Sequence, residues 1–308
     1  MTGTSVNNTA LLGAIEEALD LLETRDRHQN RQALVVEPLP SLLEQCERMR
    51  DQIAARPKAP VRLVHHFACT GGTLFSKCLA AVPNTRLLSE IDPLSPITTH
   101  QFAPTDLIRH LTHDLRGADP ELLIDIFLSG TVALYDWCES RGQRLILRDH
   151  SHSHFCTGAG QIPQRPTLRE IVTRRLPALS VLTVRHPMES YLALAEKKWF
   201  HFAPTTLEEY ARRYLVFLDC YSDAPSYRYE DMVEDPHELF KQICDSLDLP
   251  FSENIFDIFP VISLTGDSGR QGGLIAPRAR RDVPANVAAQ AEASSSYARL
   301  CSRMGYNP

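Results

Sequence analysis

The sequence contains little lysine and no long hydrophobic run. Only five of its 32 basic residues are lysines, so arginine supplies the rest. No stretch reaches the roughly 18 consecutive apolar residues that suggest a membrane-spanning helix. The first residues also lack the basic stretch and apolar core of a signal peptide. We therefore expect a cytoplasmic protein without a membrane span.

Paired cysteines and an excess of one charge are also absent. The eight cysteines include no C-x-x-C pair, and a chain of 308 residues is long enough to form a core without disulfides. The net charge of −6 produces no field that attracts nucleic acid, and no nucleic-acid partner is expected. Any anion site must therefore be local, and the planar fork of arginine suits phosphate groups.

Two amphipathic helices are predicted before residue 58. Apolar residues recur at helical spacing over residues 10–23 and again after Ser41, which forms a capping box with Glu44. Pro57 and Pro60 end this region because proline cannot continue a helix. We predict a helical N-terminal extension over residues 1–58 and one further domain over residues 59–308. The extension either covers the core or forms a partner surface, including that of a homo-oligomer.

Short runs typical of strands alternate with helical segments through the rest of the chain. The runs cover residues 61–67, 145–147, 181–184 and 226–229. Capping patterns at Thr206 and Asp235 predict two of the intervening helices. Strands that alternate with helices favour a parallel sheet covered on both faces. The predicted fold class is therefore α/β with three layers.

A glycine turn joins the first of these strands to a helix. It reads Cys69-Thr70-Gly71-Gly72-Thr73. Glycines let backbone N–H groups point inward, and the start of a helix adds partial positive charge, so the turn can hold an anion. It is not a Walker loop, because Lys77 lies too far into the helix. The alternative is a tight turn that binds nothing.

A second candidate anion site follows the strand at residues 181–184. Arg185 stands at the end of that strand, and Pro187 begins a helix. Ligands of open α/β sheets gather at such strand ends, where an arginine can bind a phosphate with two hydrogen bonds. The alternative is an ion pair between Arg185 and a nearby carboxylate.

These two segments, in this order, resemble the sulfotransferases that use 3′-phosphoadenosine 5′-phosphosulfate (PAPS). The segment that begins Tyr229-Glu230-Asp231 and the arginine-rich loop after Gly266 resemble two later motifs of that family. The resemblance covers about residues 60 to 285. It implies a P-loop-like sulfotransferase fold, PAPS as co-substrate without a metal, and a small-molecule or glycan hydroxyl as acceptor.

The resemblance also implies roles for individual residues. The loop would hold the 5′-phosphosulfate, Arg185 the 3′-phosphate and Tyr229 the adenine, while Arg270 would close over the 3′-phosphate. The implied cofactor-binding set is Thr70, Gly71, Gly72, Thr73, Arg185, Ser190, Tyr229 and Arg270.

Two positions depart from the family pattern. Cys69 stands where the family has a lysine or arginine, so that charge must come from Lys77, Arg148 or the C-terminal arginines. Ala193 stands where the family has a serine that binds the 3′-phosphate. Ser190, one helical turn earlier, is the expected substitute.

Sulfuryl transfer also needs a base that takes the proton of the acceptor hydroxyl. The segment Arg148-Asp149-His150 resembles the strand-end histidine motif of small-molecule sulfotransferases. His150 is therefore the first candidate, with Arg148 as its charge-stabilising neighbour and His152 in reserve. Glu90 is the rival base, because glycan sulfotransferases often use a glutamate, and it is expected to follow the second strand.

Other interpretations of the same residues stay open. The glycine turn also fits a P-loop nucleotide kinase or NTPase, and the two departures fit a non-catalytic nucleotide-binding protein. His150, His152 and His154 alternate as zinc ligands can, but a second ligand cluster is missing and no metal is predicted. The aromatic residues at 199–202 form either core or a wall of the acceptor pocket.

Overall fold

The computed structural model describes residues 13, 15–21, 40–54, 57–97, 105–265 and 273–308. The chain divides into two compact units, residues 1–57 and 58–308. In the first unit, residues 15–21 are helical and a further helix covers Leu42–Ala54. The predicted capping box begins that helix, because the Ser41 amide donates to Glu44 Oε2 over 2.7 Å and the Glu44 amide to Ser41 Oγ over 3.2 Å.

Seven strands and twelve α-helices are described in the second unit. The strands are β1 Val61–His66, β2 Thr85–Ile91, β3 Arg144–Asp149, β4 Thr157–Ala159, β5 Ala178–Val184, β6 His201–Ala203 and β7 Ser226–Arg228. The helices are α1 Gly72–Ala80, α2 Leu107–Thr112, α3 Pro120–Glu139, α4 Ser151–Phe155, α5 Leu168–Thr173, α6 Pro187–Glu196, α7 Leu207–Cys220, α8 Tyr229–Glu234, α9 Pro236–Ser246, α10 Ile255–Ile258, α11 Ala285–Ala293 and α12 Ser295–Met304. A 3₁₀ turn covers Phe259–Val261.

Five strands form one sheet in the order β2-β3-β1-β5-β7, and every pair in it is parallel. The predicted parallel sheet is therefore confirmed. Strand β1 is central and buried along its whole length, although three of its six residues are Arg62, His65 and His66. A second, short parallel pair joins β4 to β6, and the sequence patterns did not predict it.

Alternate residues of the strands face two different helical layers, which confirms the three-layer architecture. Val64, Ile146 and Val181 pack with residues of α1, α9 and α10 on one face. Leu63 and Leu147 face the other way and pack with residues of α3 and α5. This division follows from the two-residue period of a strand. No helix among the described residues is long and apolar enough to cross a membrane.

Candidate functional site

The glycine turn lies between β1 and α1, as the sequence predicts. Gly71 has a φ of +89°, and a Cβ built on it would lie 2.3 Å from Cδ2 of Tyr229. A Cβ built on Gly72 would lie 2.4 Å from the ring of His66. Both positions therefore need glycine, the first for its backbone as well as its contacts. The turn brings the start of α1 directly against two aromatic rings.

Arg148 reaches the glycine turn from the end of β3. Its Nη2 donates to Thr73 Oγ1 over 3.2 Å, and its Nη1 donates to Ser89 Oγ over 2.9 Å. Its side chain is only 4% exposed and forms an ion pair with Glu90 over 2.7 Å. Arg148, one of the cations that could replace the missing base at position 69, therefore has a hydrogen bond to the turn itself.

Cys69 does not supply charge at its own position. Burial raises the pKa of the Cys69 thiol to about 11, although Lys197 and Arg185 act in the opposite direction. The thiol is therefore neutral at physiological pH. Lys77 and Arg281 line the same cavity as the turn and add to its positive charge.

His66 is a residue of this site that the sequence patterns indicated as a core or loop contact at the end of a buried strand. Burial and then the charge of Arg148 hold the pKa of His66 well below its ordinary value, so the ring is neutral. Its Nε2 lies 3.1 Å from Nη2 of Arg148, which can only donate, so the ring proton is on Nδ1. That Nδ1 is buried and has no hydrogen-bond partner in the described part of the chain.

The two rival bases lie next to each other. His150 Nε2 is 3.4 Å from Glu90 Oε2, and Glu90 also binds Arg148. Glu90 lies within β2 rather than after it, at an irregularity where its φ is +61°, which corrects the expected position. Burial raises the pKa of Glu90, against the opposing charge of Arg148.

The reserve base, His152, is a poor proton acceptor near neutral pH. Burial, followed by the charge of His150, lowers the pKa of His152 to about 3.

Asp149 comes between Arg148 and His150 in the sequence, but its side chain faces the opposite side of the sheet. Its Oδ2 accepts hydrogen bonds from Tyr221 and Ser151 and lies 2.8 Å from Nδ1 of His65, which is fully buried. This second histidine–carboxylate pair therefore belongs to the core.

Tyr229 connects the glycine turn to Arg185. The Arg185 guanidinium lies over the Tyr229 ring, 4.6 Å from its centroid, and the same ring contacts Gly71. Nη2 of Arg185 lies 3.3 Å from Oε2 of Glu189, whereas its buried Nε has no hydrogen-bond partner among the described residues. The two predicted anion sites therefore adjoin each other across one aromatic ring.

Ser190 does not occupy the place expected of it. Its side chain is fully buried, and its hydroxyl donates to the carbonyl of His186 over 3.2 Å. Ala193, one helical turn later, lines the cavity instead. The helical rotation between the two positions directs the serine into the core, so we remove Ser190 from the candidate set.

The arginine-rich C-terminal segment is described in part. Arg270 lies outside the described residues, as does the loop before Gly273. Farther along, Arg281 donates from its amide to Glu189 Oε1 over 2.9 Å and from Nη1 to Glu189 Oε2 over 3.0 Å. Arg185 and Arg281 therefore share one carboxylate of α6, and both line the cavity.

The glycine turn, the candidate bases and the arginines described above line one cavity of about 1230 Å³. Every predicted site residue except Ser190 and Arg270 lines it, and His66, Arg109 and Trp199 line it too. Trp199 and His201 therefore form part of a pocket wall, while Phe202 is buried in the core. Within the described ranges, no group of three or more histidine, cysteine or carboxylate side chains could hold a metal ion.

Comparison with known proteins finds sulfotransferases among solved structures. The chain is similar to the sulfotransferase domain from the curacin biosynthetic pathway, with 17% identity, a TM-score of 0.48, and coverage of 82% of this chain and 99% of that one. It is also similar to the sulfotransferase domain of the Synechococcus PCC 7002 olefin synthase, with 18% identity, a TM-score of 0.45, and coverage of 82% and 98%.

A third similar structure is mouse sulfotransferase SULT7A1 complexed with PAP, at 9% identity and a TM-score of 0.39, with coverage of 82% of this chain and 92% of that one. No protein-family model matches the sequence, and no curated protein matches it either. At these identities and TM-scores we draw no functional conclusion from the likeness.

Proposed function

We propose that this protein is a sulfotransferase that transfers a sulfuryl group from PAPS to a hydroxyl acceptor. The observation that carries the proposal is the contact chain from Gly71 through Tyr229 to Arg185. It brings a glycine cradle and an arginine, each suited to an anion, into one cavity. A nucleotide with phosphate groups at both its 3′ and 5′ positions matches that pair of sites.

Orphaned buried donors support the fit of such a nucleotide. Nδ1 of His66 and Nε of Arg185 are both buried without a hydrogen-bond partner among the described residues. Each buried donor that lacks a hydrogen-bond partner costs about 1–3 kcal/mol of stability, and a hydrogen bond to an anionic oxygen would remove that cost. PAPS supplies an activated sulfuryl group when it is bound. The amides of the glycine turn and Arg148 would hold its 5′ end, and Arg185 with Arg281 its 3′-phosphate.

The base in this proposal is His150, oriented by Glu90. The carboxylate lies 3.4 Å from Nε2 of the imidazole and would favour the proton on that nitrogen, so that Nδ1 takes the proton from the acceptor hydroxyl. Arg148 binds the same carboxylate and the hydroxyl of Thr73. Its charge would therefore stabilise negative charge that develops at the turn as the sulfuryl group departs.

Calorimetric titration with 3′-phosphoadenosine 5′-phosphate (PAP) tests the donor site. We expect binding by the wild-type protein and a loss of about 10- to 100-fold for Arg185→Ala, because a hydrogen bond to a charged group contributes about 1.5–3 kcal/mol. Arg174→Ala is the matched control, since Arg174 pairs with Glu121 on the surface and neither residue lines the cavity. Failure of the folded wild-type protein to bind PAP would refute the proposal.

Transfer from ³⁵S-labelled PAPS to a panel of hydroxyl acceptors tests the reaction itself. We expect label on an acceptor with the wild-type protein and none above background with His150→Ala. Binding of PAP without transfer to any acceptor would favour the non-catalytic alternative. Magnesium-dependent turnover of ATP that Lys77→Ala abolishes would instead favour a kinase or NTPase.

A further inference from the structure

Arg109 is a cation of the cavity that neither the donor site nor the base uses. It lies in the short helix α2, and its side chain lines the same cavity as the glycine turn. Its Nε and Nη2 are buried and have no hydrogen-bond partner in the described part of the chain. Guanidinium nitrogens that are shielded from water without a hydrogen-bond partner are costly, so the position of these two favours an anion that comes from outside the chain.

The carboxylates that line this side of the cavity already have other partners. Asp106 accepts from the backbone amide of Arg109 over 3.2 Å and so caps α2. Asp92, which also lines the cavity, forms an ion pair with Arg165 and accepts hydrogen bonds from its guanidinium. Glu90 is bound to Arg148. The acidic side chains on this side of the cavity therefore do not neutralise the Arg109 guanidinium.

The sheet order separates Arg109 from the proposed donor site. The chain reaches α2 from β2, which is an edge strand, and α2 packs against α3. Arg185 and Tyr229 follow β5 and β7 at the other side of the sheet. Strands β2 and β5 are three positions apart in the order, a distance of about 14 Å at about 4.8 Å per strand.

The base lies between these two arginines. Glu90 is in β2 and His150 follows β3, so both stand on the side of the glycine turn that faces away from Arg185. A hydroxyl that gives its proton to His150 must enter from that side. The molecule that carries this hydroxyl therefore extends toward α2, where Arg109 lines the cavity.

We propose that Arg109 binds an anionic group, a carboxylate or a phosphate, on the acceptor molecule. The acceptor class would then be a hydroxy acid or a phosphorylated alcohol rather than a neutral alcohol or phenol. The planar fork of arginine matches both anions with two hydrogen bonds. This inference rests on the proposed function, because it assigns the second substrate of the same reaction.

The test measures acceptor binding to the protein saturated with PAP. The probes are two matched pairs, 4-hydroxyphenylacetate with 4-hydroxyphenylacetamide, and glycerol 3-phosphate with glycerol. In at least one pair, we expect the anionic member to bind at least about 10-fold more tightly than the neutral member, the effect of one hydrogen bond to a charged group. The pair that shows the preference identifies the anion as carboxylate or phosphate.

Variants at position 109 decide whether this arginine is responsible. Arg109→Gln is expected to abolish the preference and Arg109→Lys to retain part of it, because lysine keeps the charge but lacks the fork. Arg116→Gln is the matched control, since Arg116 is exposed on the same segment and is absent from the cavity lining. Circular dichroism of each variant confirms that it is folded.

Three results would overturn the inference while leaving the proposed function intact. The first is the absence of an anion preference in both pairs, and the second is a preference that Arg109→Gln leaves unchanged. The third is a loss of PAP affinity above about 10-fold in Arg109→Gln, which would assign Arg109 to the donor site. Failure of the wild-type protein to bind PAP would instead refute the proposed function itself, and the two failures are thus distinguishable.

Discussion

Replacing Gly71 with alanine introduces a methyl group where the Tyr229 ring lies. The new Cβ would be 2.3 Å from Cδ2 and 2.9 Å from Cε2 of that ring. The backbone φ of +89° adds strain of its own, since a Cβ in the left-handed region costs about 1–2 kcal/mol. Either the turn or the ring must move, and both belong to the proposed donor site.

Gly142→Ala separates the backbone strain from the contact. Gly142 has a φ of +66°, lies in an exposed turn and has nothing within 4 Å of a built Cβ. Its substitution should lower the free energy of unfolding by the strain alone, about 1–2 kcal/mol. Gly71→Ala should cost about 1–3 kcal/mol more, because overpacking adds to the strain. Urea unfolding of the two variants measures this difference.

Affinity for PAP is the more direct assay of the same contact. We expect Gly71→Ala to bind PAP at least about 10-fold more weakly than wild type, a loss of about 1.4 kcal/mol. Displacing Tyr229 also removes the ring over which Arg185 lies. Gly142→Ala should bind as wild type does. Wild-type affinity in folded Gly71→Ala would refute the reasoning that Tyr229 connects the turn to Arg185.

Two further predictions concern buried charges. The pKa of Glu90 is raised from its ordinary 4.5, so the free energy of unfolding should fall as pH rises from 4.5 through the raised pKa. Glu90→Gln should remove that decline in urea unfolding measured across pH, and an unchanged slope would contradict this. Arg213→Met should cost about 3–5 kcal/mol, because Arg213 is fully buried and paired with Glu209. Arg212→Met, which removes a 39% exposed partner of the same carboxylate, should cost at most about 1 kcal/mol, and equal losses would contradict the burial argument.

Local patterns identified most of the sheet and the ends of several helices. The predicted runs at residues 61–67, 145–147 and 181–184 fall on the parallel strands β1, β3 and β5, where apolar residues suit burial on both faces. The helices after Thr206 and Asp235 begin where the capping patterns predict, with Glu209 and Glu238 amides donating to the capping side chains. The pair β4 and β6 was missed because three-residue strands have too little pattern to detect.

Local sequence patterns do not predict that His150 and Glu90, the two candidate bases, are neighbours in the folded protein. Each residue was a separate candidate base, and the parallel pairing of β2 with β3 places the two side chains 3.4 Å apart. Arg148 was one of several cations that could replace the missing base, and its hydrogen bond to Thr73 depends on the adjacency of β3 and β1. Strand order is a property of the folded chain, so no local sequence pattern could identify which cation reaches the glycine turn or which candidate bases lie side by side.

The amino-acid sequence by itself determined the glycine turn, the strand-end arginine and the class of fold, because backbone conformation and burial periodicity act within a few residues. Only the tertiary structure decided that Ser190 faces the core, that Tyr229 contacts Gly71 and that Arg109 lines the cavity. These contacts join residues from different strands and helices. Their distances are therefore set by how the layers pack and not by spacing along the chain.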